Sequence, residues 1–188
     1  MTRAWLLPTA RASEWLPLLA GAGALAALAG LSTATGRSPI GLAGVCAAVL
    51  AAATVAGLHD RAGALLAAVP TSAAVRRARR LALLTPVAVA AWLAYLAVSG
   101  LTSTALGWPV AEHVALLATG VAVHAWSPER LAVVAGAAAP LVWAGLEAAP
   151  LGVERLDPEL AEVLLAWQHH PWVVTLTALV ATSTRRSR

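Results

Sequence analysis

The sequence contains no lysine, phenylalanine or asparagine, and it has few charged side chains of any kind. Only 12% of its 188 residues are charged, whereas 60% are hydrophobic, and the mean hydropathy is +0.76. A single soluble core cannot hide that much apolar surface, so the composition excludes an ordinary water-soluble domain. Because alanine and leucine fill the apolar segments, we expect an all-α integral membrane protein with one transmembrane domain over residues 1–188.

The absence of lysine also removes one class of activity. A phosphate-binding loop of the Gly-x-x-x-x-Gly-Lys type cannot exist without it, and the sequence has no Gly-x-Ser-x-Gly or His-Glu-x-x-His motif. The single cysteine, Cys46, forbids an internal disulfide and is expected to pack as a small apolar residue. We therefore predict no enzyme activity, no catalytic residues and no cofactor held by this chain.

Six apolar runs, separated by charged or turn-forming residues, predict six transmembrane helices. About twenty helical residues cross the roughly 30 Å of hydrocarbon in a bilayer. The runs are 15–34, 40–58, 81–100, 108–126, 131–149 and 172–184. The last is too short to cross alone, so we expect the acidic, amphipathic segment 150–170 either to begin that span or to dip into the outer leaflet as a short outer helix.

Arginine supplies all 13 basic residues, and its positions predict the orientation of the chain. With six spans, eleven arginines lie on one face: Arg3, Arg11, Arg61, Arg76, Arg77, Arg79, Arg80, Arg130, Arg185, Arg186 and Arg188. Only Arg37 and Arg155 lie on the other face. The positive-inside rule then predicts a multi-pass plasma-membrane protein with both termini in the cytoplasm. The same rule explains the net charge of +4, so we expect membrane lipid as a partner and no nucleic acid.

Two segments are expected to lie against the cytoplasmic face. Residues 1–14 read as an interfacial segment broken at Pro8. Residues 59–80 read as a cytoplasmic loop holding a short amphipathic helix, which Asp60 can cap and Pro70 can end before Thr71 and Ser72 cap the next helix. The apolar face of that short helix consists of Leu58, Leu65, Leu66 and Val69.

Four arginines stand where the third span begins: Arg76, Arg77, Arg79 and Arg80. The helix dipole disfavours positive charge at that end, so some other interaction must offset the cost. One interpretation is a cytoplasmic basic anchor held by anionic headgroups. The other is contact with an acidic cytoplasmic subunit.

A second polar set falls towards the predicted outer ends of the helices: Glu112, His113, Glu147, His169 and His170. Acids and histidines at those positions can reach water and form a solvated rim. The alternative is a substrate exit path or a docking face for the outer helix.

His113 and His124 are eleven residues apart on the fourth span and so share one face of it. Transmembrane haem needs matched histidines from two helices, and no second predicted span carries an internal histidine. We therefore predict that these two are interfacial or packed histidines and that the chain has no metal site; a haem or copper membrane protein stays as the weakest alternative.

The order of segments resembles that of the ABC-2 type permeases, the fold also called the type V exporter. Permeases of that family have an interfacial helix, two spans, a coupling helix, three spans, short outer helices and a final span. The family's acidic-x-x-Gly-x-Leu...Pro-x-Ser pattern at the coupling helix is similar to Asp60, Gly63, Leu65, Leu66 and Pro70-Thr71-Ser72. Arg61 stands where the family has a second acid, and the gap from glycine to proline is shorter here.

The resemblance implies a permease subunit of an ATP-binding cassette exporter. An ATPase subunit carrying ATP and Mg²⁺ would dock on the coupling helix at Asp60, Gly63, Leu65, Leu66, Val69 and Pro70. A second permease, identical or related, would complete the efflux path. The alternative from the residues is a non-transporting scaffold or sensor whose arginine block holds a regulatory partner.

Overall fold

A computed structural model describes residues 5–36, 42–60, 72–100, 107–148 and 170–184. Within these ranges the chain forms seven α-helices and no strand. They are α1 Leu6–Ala12, α2 Leu16–Thr35, α3 Ala43–Ala56, α4 Ala73–Val98, α5 Gly107–Trp126, α6 Glu129–Ala148 and α7 Pro171–Thr184. The expected all-α class is confirmed for the described residues.

Three helices are long and apolar enough to cross a membrane, namely Leu16–Thr35, Ala73–Val98 and Glu129–Leu146. The other predicted spans are shorter or more polar: α3 and α7 have 14 residues each, and α5 carries Glu112 and two histidines. The coarse prediction of a membrane protein therefore has direct support in three helices.

Helix α3 lies at the centre and contacts α2, α4, α5 and α6. Its sequence, AGVCAAVLAAATVA, has no polar face, as is typical of a helix that is buried all round. Small side chains let the neighbouring helices approach it from several sides. Eight of its residues are buried: Cys46, Ala47, Ala48, Leu50, Ala51, Ala52, Thr54 and Val55.

Helix α2 buries only a narrow stripe, formed by Leu18, Gly21, Leu25, Ala29 and Ser32. The spacing of three or four residues puts this stripe on one helical face, and that face packs against α3 and α4. Leu16, Leu19 and Leu31 point away from the bundle and are exposed. A helix with leucine on both its buried and its exposed face is typical of a helix surrounded by lipid.

Helices α5 and α6 cross at a pair of glycines. A Cβ atom added to Gly136 would lie 2.6 Å from the Cβ of His124 and 2.9 Å from the carbonyl oxygen of Gly120. The same atom would lie 2.9 Å from a methyl group of Val55 on α3. The two backbones are therefore in direct contact, and no side chain fits between them. This crossing fixes α5 and α6 against the central helix.

Helix α4 begins at Ala73, eight residues before the expected start of the third span at Leu81. The Ser72 hydroxyl accepts a hydrogen bond from the Val75 amide at 3.3 Å, so the prediction of Ser72 as a cap is confirmed. Residues 73–80 are thus helical and not part of a loop. Arginine is a good helix former, so the edge of the apolar run does not mark the start of the helix.

Pro8 does not break the N-terminal segment, contrary to the sequence expectation. It is the third residue of α1, in the first turn, where its missing amide hydrogen costs no helical hydrogen bond. Helix α1 packs against α4, and the Arg79 guanidinium lies over the Trp5 ring, 5.9 Å from its centre.

Candidate functional site

Several helix ends meet at one end of the bundle, which we call the arginine end because Arg76, Arg77 and Arg80 lie there. The starts of α4 and α6 and the ends of α3, α5 and α7 surround a cavity of about 530 Å³. The Trp126 indole nitrogen donates to the carbonyl oxygen of Ala181 at 2.8 Å, which joins the ends of α5 and α7 there. The consecutive helices α3 to α7 therefore run in alternating directions.

Asp60, four residues past the end of α3, connects that end to the start of α4. Its Oδ1 accepts a hydrogen bond from Arg80 Nη2 at 2.8 Å, and its Oδ2 accepts one from Arg76 Nε at 3.1 Å. Arg76 and Arg80 are four residues apart, so they share a helical face and can grip one carboxylate together. We refer to these three residues as the Asp60 cluster.

Arg80 makes further contacts that explain why a charged side chain is only 4% exposed. Its Nη1 donates to the carbonyl oxygen of His59 at 2.8 Å and to that of Leu58 at 3.2 Å. Carbonyl groups just past a helix end lack helical partners, and the guanidinium satisfies two of them. The end of α3 is therefore held to the first turns of α4, the helix that follows segment 61–71.

The pKa of Asp60 reflects two opposed causes. Burial of the carboxyl group favours its neutral form, but the hydrogen bonds and positive charges of Arg80 and then Arg76 favour the carboxylate more strongly. The pKa of Asp60 is consequently held below its usual value of 3.8. The group stays ionised at neutral pH.

This pKa shift predicts how stability depends on pH. Because the folded-state pKa of Asp60 is lowered, the cluster contributes its full stability above a pH of about 4 and loses it as the pH falls through the folded-state pKa. We expect the thermal midpoint of the protein in detergent to fall more steeply with acid than that of Asp60→Asn. Parallel curves for the two proteins between about pH 5 and about pH 3 would contradict the assignment.

The structure brings some of the predicted coupling and anchor residues together and separates others. Asp60, Arg76, Arg77 and Arg80 line the cavity, whereas Arg79 lies over Trp5. The remaining coupling residues, Gly63, Leu65, Leu66, Val69 and Pro70, lie outside the described residues. The basic anchor is thus divided between the cavity wall and α1.

His113 does not lie on a solvated outer rim, and that expectation was wrong. The side chain is 1% exposed, its Nδ1 lies 3.2 Å from the carbonyl oxygen of Ala47, and its ring stacks on Trp92 at 5.7 Å. Trp92 also stacks on Tyr95 and donates its indole hydrogen to the carbonyl oxygen of Pro109 at 3.1 Å. His113 therefore packs in the core, between α3 and α4.

The other predicted rim residues have different surroundings. Glu112 is half-buried and His170 is exposed. The side chain of Glu147 and the whole of His169 lie outside the described parts of the chain.

Sequence reasoning missed three features of the cavity. Asp60 was expected to cap a helix, whereas both of its oxygens accept from arginines of α4. His124 and Glu129, from the end of α5 and the start of α6, also line the cavity. The sequence did contain a signal for the Asp60 cluster. Arg76 and Arg80 are four residues apart on one helical face, and Asp60 precedes them across one loop.

Among the described residues, no three histidine, cysteine, aspartate or glutamate side chains are grouped so that they could hold a metal ion. Comparison of the chain with protein-family models, curated proteins and solved structures found no match.

Proposed function

We propose that this chain is the membrane-spanning permease subunit of an ATP-driven exporter, acting as a dimer with itself or a related permease. A partner ATPase, carrying ATP and Mg²⁺, binds beneath residues 59–72 at the plasma membrane, and both termini lie in the cytoplasm. The Asp60 cluster is the observation that carries this proposal. It joins α3 to α4, the two helices on either side of the segment expected to meet the ATPase, at the wall of a cavity.

Segment 61–71 lies in the chain between α3 and α4, the two helices that the Asp60 cluster joins. Arg80 belongs to α4, and its guanidinium binds the carbonyl groups of Leu58 and His59, just past the end of α3. A partner that displaces the segment must therefore move α3 and α4 together. Since α3 contacts four helices, that movement reaches the cavity and the α5–α6 crossing. Rigid-body movement of packed helices of this kind is how coupled transporters alternate between states.

The direction of the helices supports six crossings. The three helices that are long and apolar enough to span are α2, α4 and α6, and α4 and α6 both start at the arginine end. The start of α2 lies there too, because the Glu14 carbonyl oxygen is 2.9 Å from a Cβ built on Gly57. If all three cross in the same direction, the chain must return through α3 and α5. Helix α7 then ends on the side where α2 began.

The short length of α3 is compatible with such a crossing. Fourteen residues of helix extend about 21 Å, less than the hydrocarbon thickness. Lipid mismatch matters only for a helix that faces lipid, and α3 is covered by its neighbours along most of its surface.

The test of this function uses the apolar face expected for segment 61–71. We expect Leu66→Asp combined with Val69→Asp to abolish co-purification of a Walker-type ATPase with the tagged chain, and to abolish ATP-dependent efflux, without loss of membrane insertion. Two buried charges at an apolar contact cost enough to break it.

Ala64→Asp combined with Ala67→Asp is the matched control, because it adds the same charge on the opposite helical face. This control should keep the ATPase bound. Equal ATPase retention by the two double variants, or the absence of any Walker-type ATPase from the wild-type complex, would refute the proposed coupling.

A further inference from the structure

The first two turns of α4 carry four arginines, although positive charge is unfavourable at the N-terminal end of a helix. The helix has no acidic residue in its first turn, and the N-terminal end of its dipole is itself positive. Arg76, Arg77 and Arg80 line the cavity wall that α4 forms, and the Asp60 carboxylate lies on this wall, bound to Arg76 and Arg80. Three positive charges against one leave this wall with a formal charge of +2.

The opposite wall reduces this charge only in part. Glu129 is the first residue of α6 and is exposed at the cavity, so the five charged groups sum to +1. His59 and His124 also line the cavity. The net positive charge of the cavity, which is concentrated along α4, therefore favours an anionic ligand.

Most of the remaining lining is apolar, although Ser127 and Thr182 also belong to it. Leu81, Val121, Ala125 and Val133 contribute to it, from α4, α5 and α6. A volume of about 530 Å³ is within the range of ordinary ligand pockets, about 300 to 1,000 Å³. A small soluble anion would use only the charged wall, whereas a ligand with an anionic head and an apolar chain would fill both parts.

We propose that this cavity binds an anionic phospholipid from the leaflet at the arginine end. Its phosphate group contacts Arg76 and Arg77, and one acyl chain lies against Val121 and Val133. Arginine binds phosphate oxygens through paired hydrogen bonds, and helix N-termini also favour phosphate. The bound lipid bridges α4, α5 and α6. The inference does not depend on the proposed ATPase partner, since it concerns binding by this chain alone.

Native mass spectrometry of the purified full-length chain in mild detergent tests this binding. The protein is titrated with dioleoyl phosphatidylglycerol, with dioleoyl phosphatidylcholine and with inorganic phosphate. We expect phosphatidylglycerol to be retained about tenfold better than phosphatidylcholine, because one charge-assisted hydrogen bond is worth about 1.5 kcal/mol or more. Inorganic phosphate should not compete at matched concentrations.

Two variants and one control locate the site. Arg77→Gln should remove the preference for phosphatidylglycerol. Arg130→Gln should keep it, because Arg130 is an exposed arginine near the same end that does not line the cavity. Val133→Trp fills the apolar part without changing any charge, and it should weaken retention of the lipid. Thermal unfolding of each variant checks that it is folded.

Four results would overturn the proposal. Equal retention of the two lipids by the wild type would remove the charge preference. An equal loss of the phosphatidylglycerol preference in Arg77→Gln and Arg130→Gln would show that the preference comes from general surface charge and not from the cavity. Unchanged retention in folded Val133→Trp would exclude the acyl-chain contact, and full competition by inorganic phosphate would indicate a free-anion site instead.

Discussion

Gly136→Ala is expected to destabilise the protein by about 1 to 3 kcal/mol, the usual cost of forcing extra volume into a packed core. The added methyl group would lie 2.6 Å from the Cβ of His124 and 2.9 Å from the Gly120 carbonyl oxygen. Neither atom is the far end of a flexible side chain, so relief requires the backbones of α5 and α6 to separate. That separation would loosen both helices from Val55 on α3. The midpoint of unfolding in a denaturing detergent measures the loss.

Gly145→Ala is the matched control for this prediction. Gly145 is in the same helix, and no described atom lies within 4 Å of a Cβ built on it. Alanine favours helix over glycine by up to about 1 kcal/mol, so this variant should be neutral or more stable. The difference between the two variants isolates the helix crossing from helix propensity. Equal midpoints would show that α5 and α6 do not pack as closely as described.

Asp60→Asn should destabilise the protein by about 1 to 3 kcal/mol. It leaves the Arg80 guanidinium buried with two backbone carbonyl groups but without a carboxylate. Removing one partner of a fully buried ion pair costs about 3 to 5 kcal/mol, and the value is smaller here because the Asp60 side chain is 23% exposed. Chemical or thermal unfolding in detergent gives the change in stability.

A double-mutant cycle separates the ion pair from other effects of each substitution. Asp60→Asn combined with Arg80→Gln should cost less than the sum of the single changes, because the second change removes the uncompensated charge. Arg79→Gln serves as a control in the same turn of α4, since Arg79 lies over the Trp5 ring instead, and it should cost about 1 kcal/mol or less. Strict additivity of the Asp60 and Arg80 changes would contradict the described contact.

The features that could be predicted from the sequence are those set by local chemistry. The run expected between Trp108 and Trp126 agrees with the bounds of α5, Gly107–Trp126, to within one residue, because apolar helix formers fill the sequence between the two tryptophans. Ser72 could be identified as a helix cap because a serine hydroxyl just before a helix readily accepts a hydrogen bond from a backbone amide of the first turn. The start of α4 could not be predicted in the same way. Hydropathy indicates where an apolar segment begins, whereas this helix begins eight residues earlier, in a segment that carries four arginines.

The features that could not be predicted depend on contacts between distant parts of the chain. His113 is buried because the Ala47 carbonyl group, 66 residues earlier, lies beside its ring, and helical periodicity alone does not reveal which face meets α3. Asp60 is separated from Arg76 and Arg80 by 16 and 20 residues, across a segment whose local signals suggested capping instead. The cavity also combines five helix ends, so it exists only once the whole bundle is assembled.

The central position of α3 has a consequence for biogenesis. Two of its principal neighbours, α5 and α6, follow it by more than fifty residues, so its final surroundings do not exist while the ribosome is still making α4. During that interval the alanine-rich surface of α3 must be sheltered by lipid or by the insertion machinery. Burial of α3 is therefore a late event, which requires the arrival of the Gly120 and Gly136 backbones.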